Sequence, residues 1–420
     1  MTGADPSLRR ESALLLDCLG IRLDAGQTEA PTLTEAETAE VLRQAAENGI
    51  TPLLYHCLAT RPSAPRVPPA ALEHLRQEAM RAAAQSLRIG RELTEILALF
   101  EAHAVPVILL KGAHLGYVVY GNAALRTMGD LDLMVHREHL AIAGGLLAQL
   151  GYTPQHDPLE AVDYEQHHHV RPLGKPGALR IDLHWTIARP TMPFTVDVDG
   201  IWRRAVGVRV AGVPGLALCP EDLLLHLCLH TSFDHQFRLG LRACWDVLQV
   251  VRHHGASIDW PALIERADQW GIGRYVYLTL RLVRELLGAD IPPARLAALQ
   301  PSGFSADVLA WARTCVFNAE SDAASVSPSM AELWTARRLG AKVALLRQTF
   351  SPPRSAMARI YRTSPDTAWI YLYYPVRWVD LLGRYGRHAW GLWRGDRRVH
   401  DELRAVSERA ALRDWLFRPA

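Results

Sequence analysis

Lysine is nearly absent from this 420-residue chain: only three of its 46 basic residues are Lys, at 111, 175 and 342, and the rest are Arg. A position that tolerates either cation is Arg here, so each Lys is informative; with abundant Ala, the bias fits a GC-rich bacterial genome. An excess of one charge is missing too. The 46 basic and 44 acidic residues leave a formal net charge of +2, which excludes a highly basic nucleic-acid coat and an acidic disordered tail. No apolar run reaches the ~18 residues needed to cross a bilayer. The opening, MTGADPSLRRESALLLDCLG, carries acid and Pro where a signal peptide needs a basic and then an apolar segment. The expectation is a cytoplasmic protein. Cysteine is sparse: Cys18, Cys57, Cys219, Cys228, Cys244 and Cys315 form no C-x-x-C pair, which excludes a disulfide framework and a zinc ribbon and predicts packed free thiols.

What is present is ordinary globular material. Hydrophobic residues make up 49% and charged residues 21%, enough for two or three modest cores. Apolar residues three and four apart predict helices over 36–48, 70–84 and 85–104. At Val105 the texture changes. VPVILL predicts a short strand, KGAHLGYVVYG a helix, and DLDLMV a strand whose Asp130 and Asp132 share one face. A helix over 139–150 stops at Gly151. Strands are predicted over 166–173 and 178–187, joined by a turn at 174–177. After Pro220 helices return, over 221–233, 238–254 and 260–287. The expected organisation is a helical region 1–104, an α/β core 105–215, a helical domain 216–330 completing a cleft, and a helical region 331–420. Joints are expected around 320–330 and 351–355. The last ninety residues hold 17 basic and 8 acidic side chains and are rich in aromatics from Trp369 to Trp393.

Two carboxylates at i and i+2 of a strand project the same way, about 6–7 Å apart by the strand rise. Such a pair can ligate divalent cations, although a solvated strand face has the same spacing. Here the pair lies in an apolar strand, downstream of a strand ending at Lys111-Gly112 and four residues after Arg126. A glycine at a strand-to-helix junction lets backbone N–H groups approach a phosphate. Cation, glycine turn and carboxylates together describe a nucleoside triphosphate site. The plainer alternatives are that Lys111 caps a helix and that Arg126 is a structural partner of Asp130.

LLKGAHLGYVVYGNAALRTMGDLDLMV, followed by Gly151-Tyr152 and RIDLHW, resembles the bacterial uncharacterised nucleotidyltransferase family of the DNA polymerase β-like superfamily, most firmly over 105–190. The resemblance implies an α/β fold with a polymerase β-like mixed sheet flanked by helical N- and C-terminal regions. It implies a D-x-D pair at Asp130 and Asp132 and a third carboxylate on a later strand, which maps to Asp182. All three would be metal-binding and catalytic, with two Mg²⁺ ions, an NTP co-substrate and Asp182 as general base. Lys111, Gly112 and Arg126 map to triphosphate binding. Lys111 departs from the pattern, standing where the superfamily has the first of two small residues.

Other clusters carry less. His167, His168 and His169 alternate faces on a strand, so at most two converge and no tetrahedral zinc set is expected. His226 and His230 are one helical turn apart but lack the Glu of a metalloprotease helix; His230 reads as a cleft-lining or core residue. His184 lies on the neighbouring strand. Asp246, in an apolar helix, reads as a satisfied structural group or as a residue orienting an acceptor. The basic, aromatic tail fits a packed helical layer, an Arg and Trp surface for a polynucleotide, or a membrane-interface helix; Asp380 and three glycines within 383–391 weigh against the last. The expected function is transfer of a nucleoside monophosphate from an NTP to a hydroxyl of a small-molecule, carbohydrate or peptide acceptor. The alternatives are a toxin-like enzyme acting on tRNA and a non-catalytic nucleotide-binding scaffold.

Overall fold

The computed structural model describes residues 10–21, 30–155, 167–317, 351–361, 363, 367–379, 381 and 397–418. The chain forms two compact units, Met1–Phe304 and Ser305–Ala420. The expected joint around 320–330 lies outside the described residues, as do 382–396 of the aromatic tail.

The first unit opens with helices α1 (Arg10–Cys18), α2 (Glu35–Glu47), α3 (Thr51–Thr60) and α4 (Pro69–Ala102). Thr34 and Glu37 close a capping box that starts α2. The two helical runs read over 70–104 are one continuous helix, because the single Gly90 within the periodic apolar face between Leu75 and Phe100, at a cost of about 1 kcal/mol, is too weak a breaker to end it.

Seven strands follow: β1 (Ile108–Leu109), β2 (Asp130–Met134), β3 (Thr153–Pro154), β4 (Leu173–Gly174), β5 (Arg180–His184), β6 (Val206–Val210) and β7 (Val213–Ala217). They form one mixed sheet in the order β3-β4-β5-β2-β1-β7-β6. β2 runs parallel to β5 and antiparallel to β1, and β1 runs parallel to β7. Alternation in β2 and β5 decides the two faces. Leu131, Leu133, Ile181 and Leu183 join the core with Leu93, Ile96 and Phe100 of α4 and Leu146 and Leu147 of α6 (Leu140–Gln149). Asp130, Asp132, Asp182 and His184, at the intervening positions, project to the opposite face.

Three sequence expectations need correction here. The strand read over 166–173 is extended only at its end. Among described residues, His167 and His168 lie in a bend, His169 makes one isolated bridge to His184, and ladder pairing begins at Leu173. The β6–β7 hairpin was not anticipated. Its two-residue turn, Ala211-Gly212, has positive φ at both positions (49° and 88°), the twist a tight hairpin needs, but carries Ala where Asn or Asp would have signalled it. The helix read over 260–287 is two, α10 (Trp260–Gln269) and α11 (Gly273–Leu287), divided at Gly271 with φ 72°.

α7 (Val198–Arg204) precedes β6, and between β7 and these helices lie α8 (Pro220–Leu229) and α9 (Leu241–His254). α8 runs on into a π-helical turn, His230–Asp234. In the second unit, Ala306–Phe317 packs against the helix Arg397–Phe417. Met357, Ala358 and Ile370 form a small core flanked by Tyr361, Tyr373 and Tyr374. Trp369, Tyr371, Leu372, Val376, Trp378 and Val379 are exposed. All six cysteines are buried, and none forms a disulfide. Among the described residues, no helix is long and apolar enough to cross a membrane.

Candidate active site

Asp130 and Asp132 stand on one face of β2, and parallel register places Asp182 of β5 directly opposite Asp132. The three carboxylates read from the sequence are therefore brought together. Asp132 is buried, and its Oδ1 accepts from two donors at 2.8 Å, Lys111 Nζ and His184 Nε2. Burial opposes its negative charge, but Lys111 and His184 outweigh burial and hold its carboxyl well below the usual range. Burial, followed by the charge of Asp132, raises the pKa of Asp130. Burial likewise works against the Lys111 ammonium, and Asp132 more than restores it, so its pKa lies above the ordinary lysine value. The pair is locked in its charged form.

Arg180 spans the other two carboxylates, with Nη2 3.0 Å from Asp182 Oδ2 and 3.3 Å from Asp130 Oδ2. Its side chain is half exposed, so a cation between the aspartates can take its place without a buried cost. Asp182 Oδ1 is buried without a hydrogen-bond partner among the described residues. An orphaned carboxylate oxygen beside two further carboxylates is a hard, anionic donor set that fits a divalent ion such as Mg²⁺.

Lys111 opens the short helix α5 (Lys111–His114) with φ 38°, a left-handed conformation that glycine adopts without strain. The backbone thus has the form suited to a small residue, and a Lys side chain is held there nonetheless, reaching Asp132. Gly112 is close-packed: a Cβ would meet Met128 Cγ at 2.7 Å and Arg126 Nη1 at 3.3 Å. Arg126 therefore lies against the glycine turn. Its partner is Asp246 of α9, at 2.8 and 3.2 Å, and not Asp130. Arg126 Nη1 also donates to the Thr127 carbonyl at 2.9 Å, and Tyr120 donates its hydroxyl to Asp246 at 2.8 Å. Asp246 is accordingly the buried anchor of a guanidinium.

His226 is buried in α8, and His230 begins the π-helical turn, with Nδ1 3.7 Å from Asp234. Burial and then the Lys111 charge press both histidines well below the ordinary value. His167, His168 and His169 contradict the alternation expected of them: because 167–168 are bent, not extended, their ligand nitrogens converge within 4.8 Å of one another. Two site members were missed by the motif reading. Arg180 and His184 share the period-two face with Asp182 in RIDLH, a spacing that was legible had the strand's whole face been read.

A family described as "Uncharacterised nucleotidyltransferase" matches residues 34–288. The chain belongs to that family. No curated protein matches the chain. It is also similar to a solved structure of the antibiotic-resistance factor ANT(2'')-Ia, at 15% identity and a TM-score of 0.33, covering 47% of this chain and 97% of that one. The matched region spans α2 to the Gly288 terminus of α11 and includes every residue of the carboxylate site.

Proposed function

We propose that this nucleotidyltransferase transfers a nucleoside monophosphate from an NTP to a hydroxyl of a small-molecule, carbohydrate or peptide acceptor, with two Mg²⁺ ions held by Asp130, Asp132 and Asp182. The observation that carries this reading is the β2–β5 register, which sets Asp182 beside Asp132 with its Oδ1 unsatisfied. Bound at these carboxylates, Mg²⁺ supplies Lewis-acid charge for the triphosphate and lowers the pKa of an acceptor hydroxyl.

The chain's own groups do the rest. Asp182 takes the acceptor hydroxyl proton as the oxygen bonds to the α-phosphorus and the bond to the bridging oxygen breaks, releasing pyrophosphate. Lys111 has three ammonium N–H groups and spends one on Asp132, leaving donors for a phosphate oxygen. The Gly112 turn admits the phosphates close to the backbone, with Arg126 fixed behind it by Asp246. His184 orients Asp132. A small acceptor is favoured because the residues before the basic tail carry a net negative charge, the opposite of the field that polynucleotide binding requires.

Thermal unfolding with each NTP, with and without Mg²⁺, tests the reading. A nucleotide at 100 times its dissociation constant stabilises by about 2.7 kcal/mol. A Mg²⁺-dependent rise in melting temperature that disappears in Asp130→Asn/Asp132→Asn is expected. A chain insensitive to all four nucleotides refutes donor binding, and binding of tRNA that weakens steeply with salt transfers support to a nucleic-acid acceptor.

A further inference from the structure

Beside the carboxylates, but outside them, the bend before β4 gathers three imidazoles. The His167 and His168 rings stack with centroids 4.3 Å apart, and His169 stands edge-on to them at 4.1 and 4.7 Å. Their ligand nitrogens all lie within 4.8 Å of one another. The segment is tied to β5 by the backbone: Trp185 N–H donates to the His168 carbonyl at 3.1 Å, and Val170 N–H to the Leu183 carbonyl at 3.0 Å. The cluster is thus fastened by main-chain hydrogen bonds to the C-terminal end of β5.

Two independent features give these rings the form of ligands. His169 Nδ1 donates to the Val170 carbonyl at 2.7 Å, which fixes the neutral ring with its lone pair on Nε2, the tautomer usual in metal-bound histidines. His168 Nδ1 is buried without a hydrogen-bond partner among the described residues. The neighbouring His184 rings at 5.1 and 5.3 Å from His168 and His169, donates through Nε2 to Asp132, and has a buried Nδ1 with no hydrogen-bond partner among the described residues.

We propose that His167, His168 and His169 bind one first-row transition dication of the zinc class, at a site separate from the carboxylate triad. Three neutral imidazoles select such ions over Mg²⁺ or Ca²⁺, which take oxygen ligands. Water fills the fourth position. Tetrahedral Zn–N bonds of about 2.0–2.1 Å put nitrogens about 3.3 Å apart, so the nitrogens draw in by at most about 1.5 Å on loading. The inference is independent of the proposed reaction, because it uses none of the residues assigned to NTP.

Cobalt(II) is the probe, read by its visible ligand-field absorption, in a full chain carrying Asp130→Asn and Asp182→Asn so that the carboxylates cannot hold it. One equivalent bound, undisplaced by millimolar Mg²⁺ and weakened at least tenfold by His168→Ala and by His169→Ala, is the expected result. Absorption unchanged in both histidine variants, displacement by Mg²⁺, or no absorption at stoichiometric Co²⁺ each overturns the site. The unsubstituted protein supplies a readout that does not depend on a variant folding: Zn²⁺ should protect these three histidines from diethyl pyrocarbonate, as mapped by mass spectrometry. Equal modification with and without Zn²⁺ overturns it as well.

Discussion

Lys111 combines two demands that conflict in one residue: a backbone φ of 38° and an ammonium 2.8 Å from a buried carboxylate. A Cβ in that region costs about 1–2 kcal/mol, so Lys111→Gly should unfold at higher urea than Lys111→Ala by about that margin. Both variants should lose transfer activity by about 10²-fold or more, since neither restores the charge. Equal stability of the two would show that the left-handed conformation is not strained. The sequence pointed to Lys111 through the scarcity of Lys and through its place before Gly112, where the family pattern has a small residue; the left-handed φ is seen only in the structure. His184 makes a different prediction. It touches Asp132 and no phosphate-binding group, so His184→Ala should weaken Mg²⁺ dependence by about 10–100-fold while leaving the fold intact by circular dichroism. Unchanged Mg²⁺ titration of activity would remove its orienting role.

At the scale of elements, the site is two adjacent parallel strands and one side chain sent across from α9. Asp246 lies 120 residues after Arg126 in sequence, and the pair is buried. Asp246→Ala leaves a guanidinium without its partner and should cost about 3–5 kcal/mol, measured by urea unfolding. Arg126→Met/Asp246→Leu should recover much of that, because both charges go together; a double variant as unstable as the single would show that Tyr120 and the surrounding packing, and not the ion pair, carry the effect. These long-range contacts also mark where sequence reading stopped. Alternation announced β2, β5 and the shared carboxylate face, since period-two chemistry is local. The pairing of Arg126 with Asp246 is a tertiary fact with no local sign, and Asp130, four residues away, was the nearer and mistaken candidate. The three histidines failed the same way. Strand alternation was assumed for a segment that bends at His167 and His168 and makes a single bridge, from His169 to His184. The β6–β7 hairpin escaped because its turn is Ala-Gly, and Gly271 was passed over because the apolar spacing continues on both sides of it.

For the whole molecule, buried histidines set the acid limit. His114 is almost fully buried, and burial lowers its pKa to about 4, against about 6.5 in the unfolded chain. The unfolded state therefore binds the proton first. Stability from this group is complete above pH 6.5 and is lost as pH falls toward 4, amounting to about 3 kcal/mol at full effect. His114→Phe should flatten the slope of unfolding free energy between pH 6.5 and 4, and an unaltered slope would place the acid sensitivity in other groups. The six shielded thiols give the molecule a second kind of legibility. Burial pushes Cys18 up to about 12, Cys219 to about 11 and Cys244 to about 12, so the native chain offers almost no thiolate to an alkylating reagent. Each becomes reactive only when its own neighbourhood opens. Cys18 and Cys57 would time the loosening of the N-terminal helices, Cys219, Cys228 and Cys244 that of α8 and α9, and Cys315 that of the second unit. The unlabelled protein thus carries its own set of clocks for regional opening, readable peptide by peptide without introducing a single probe.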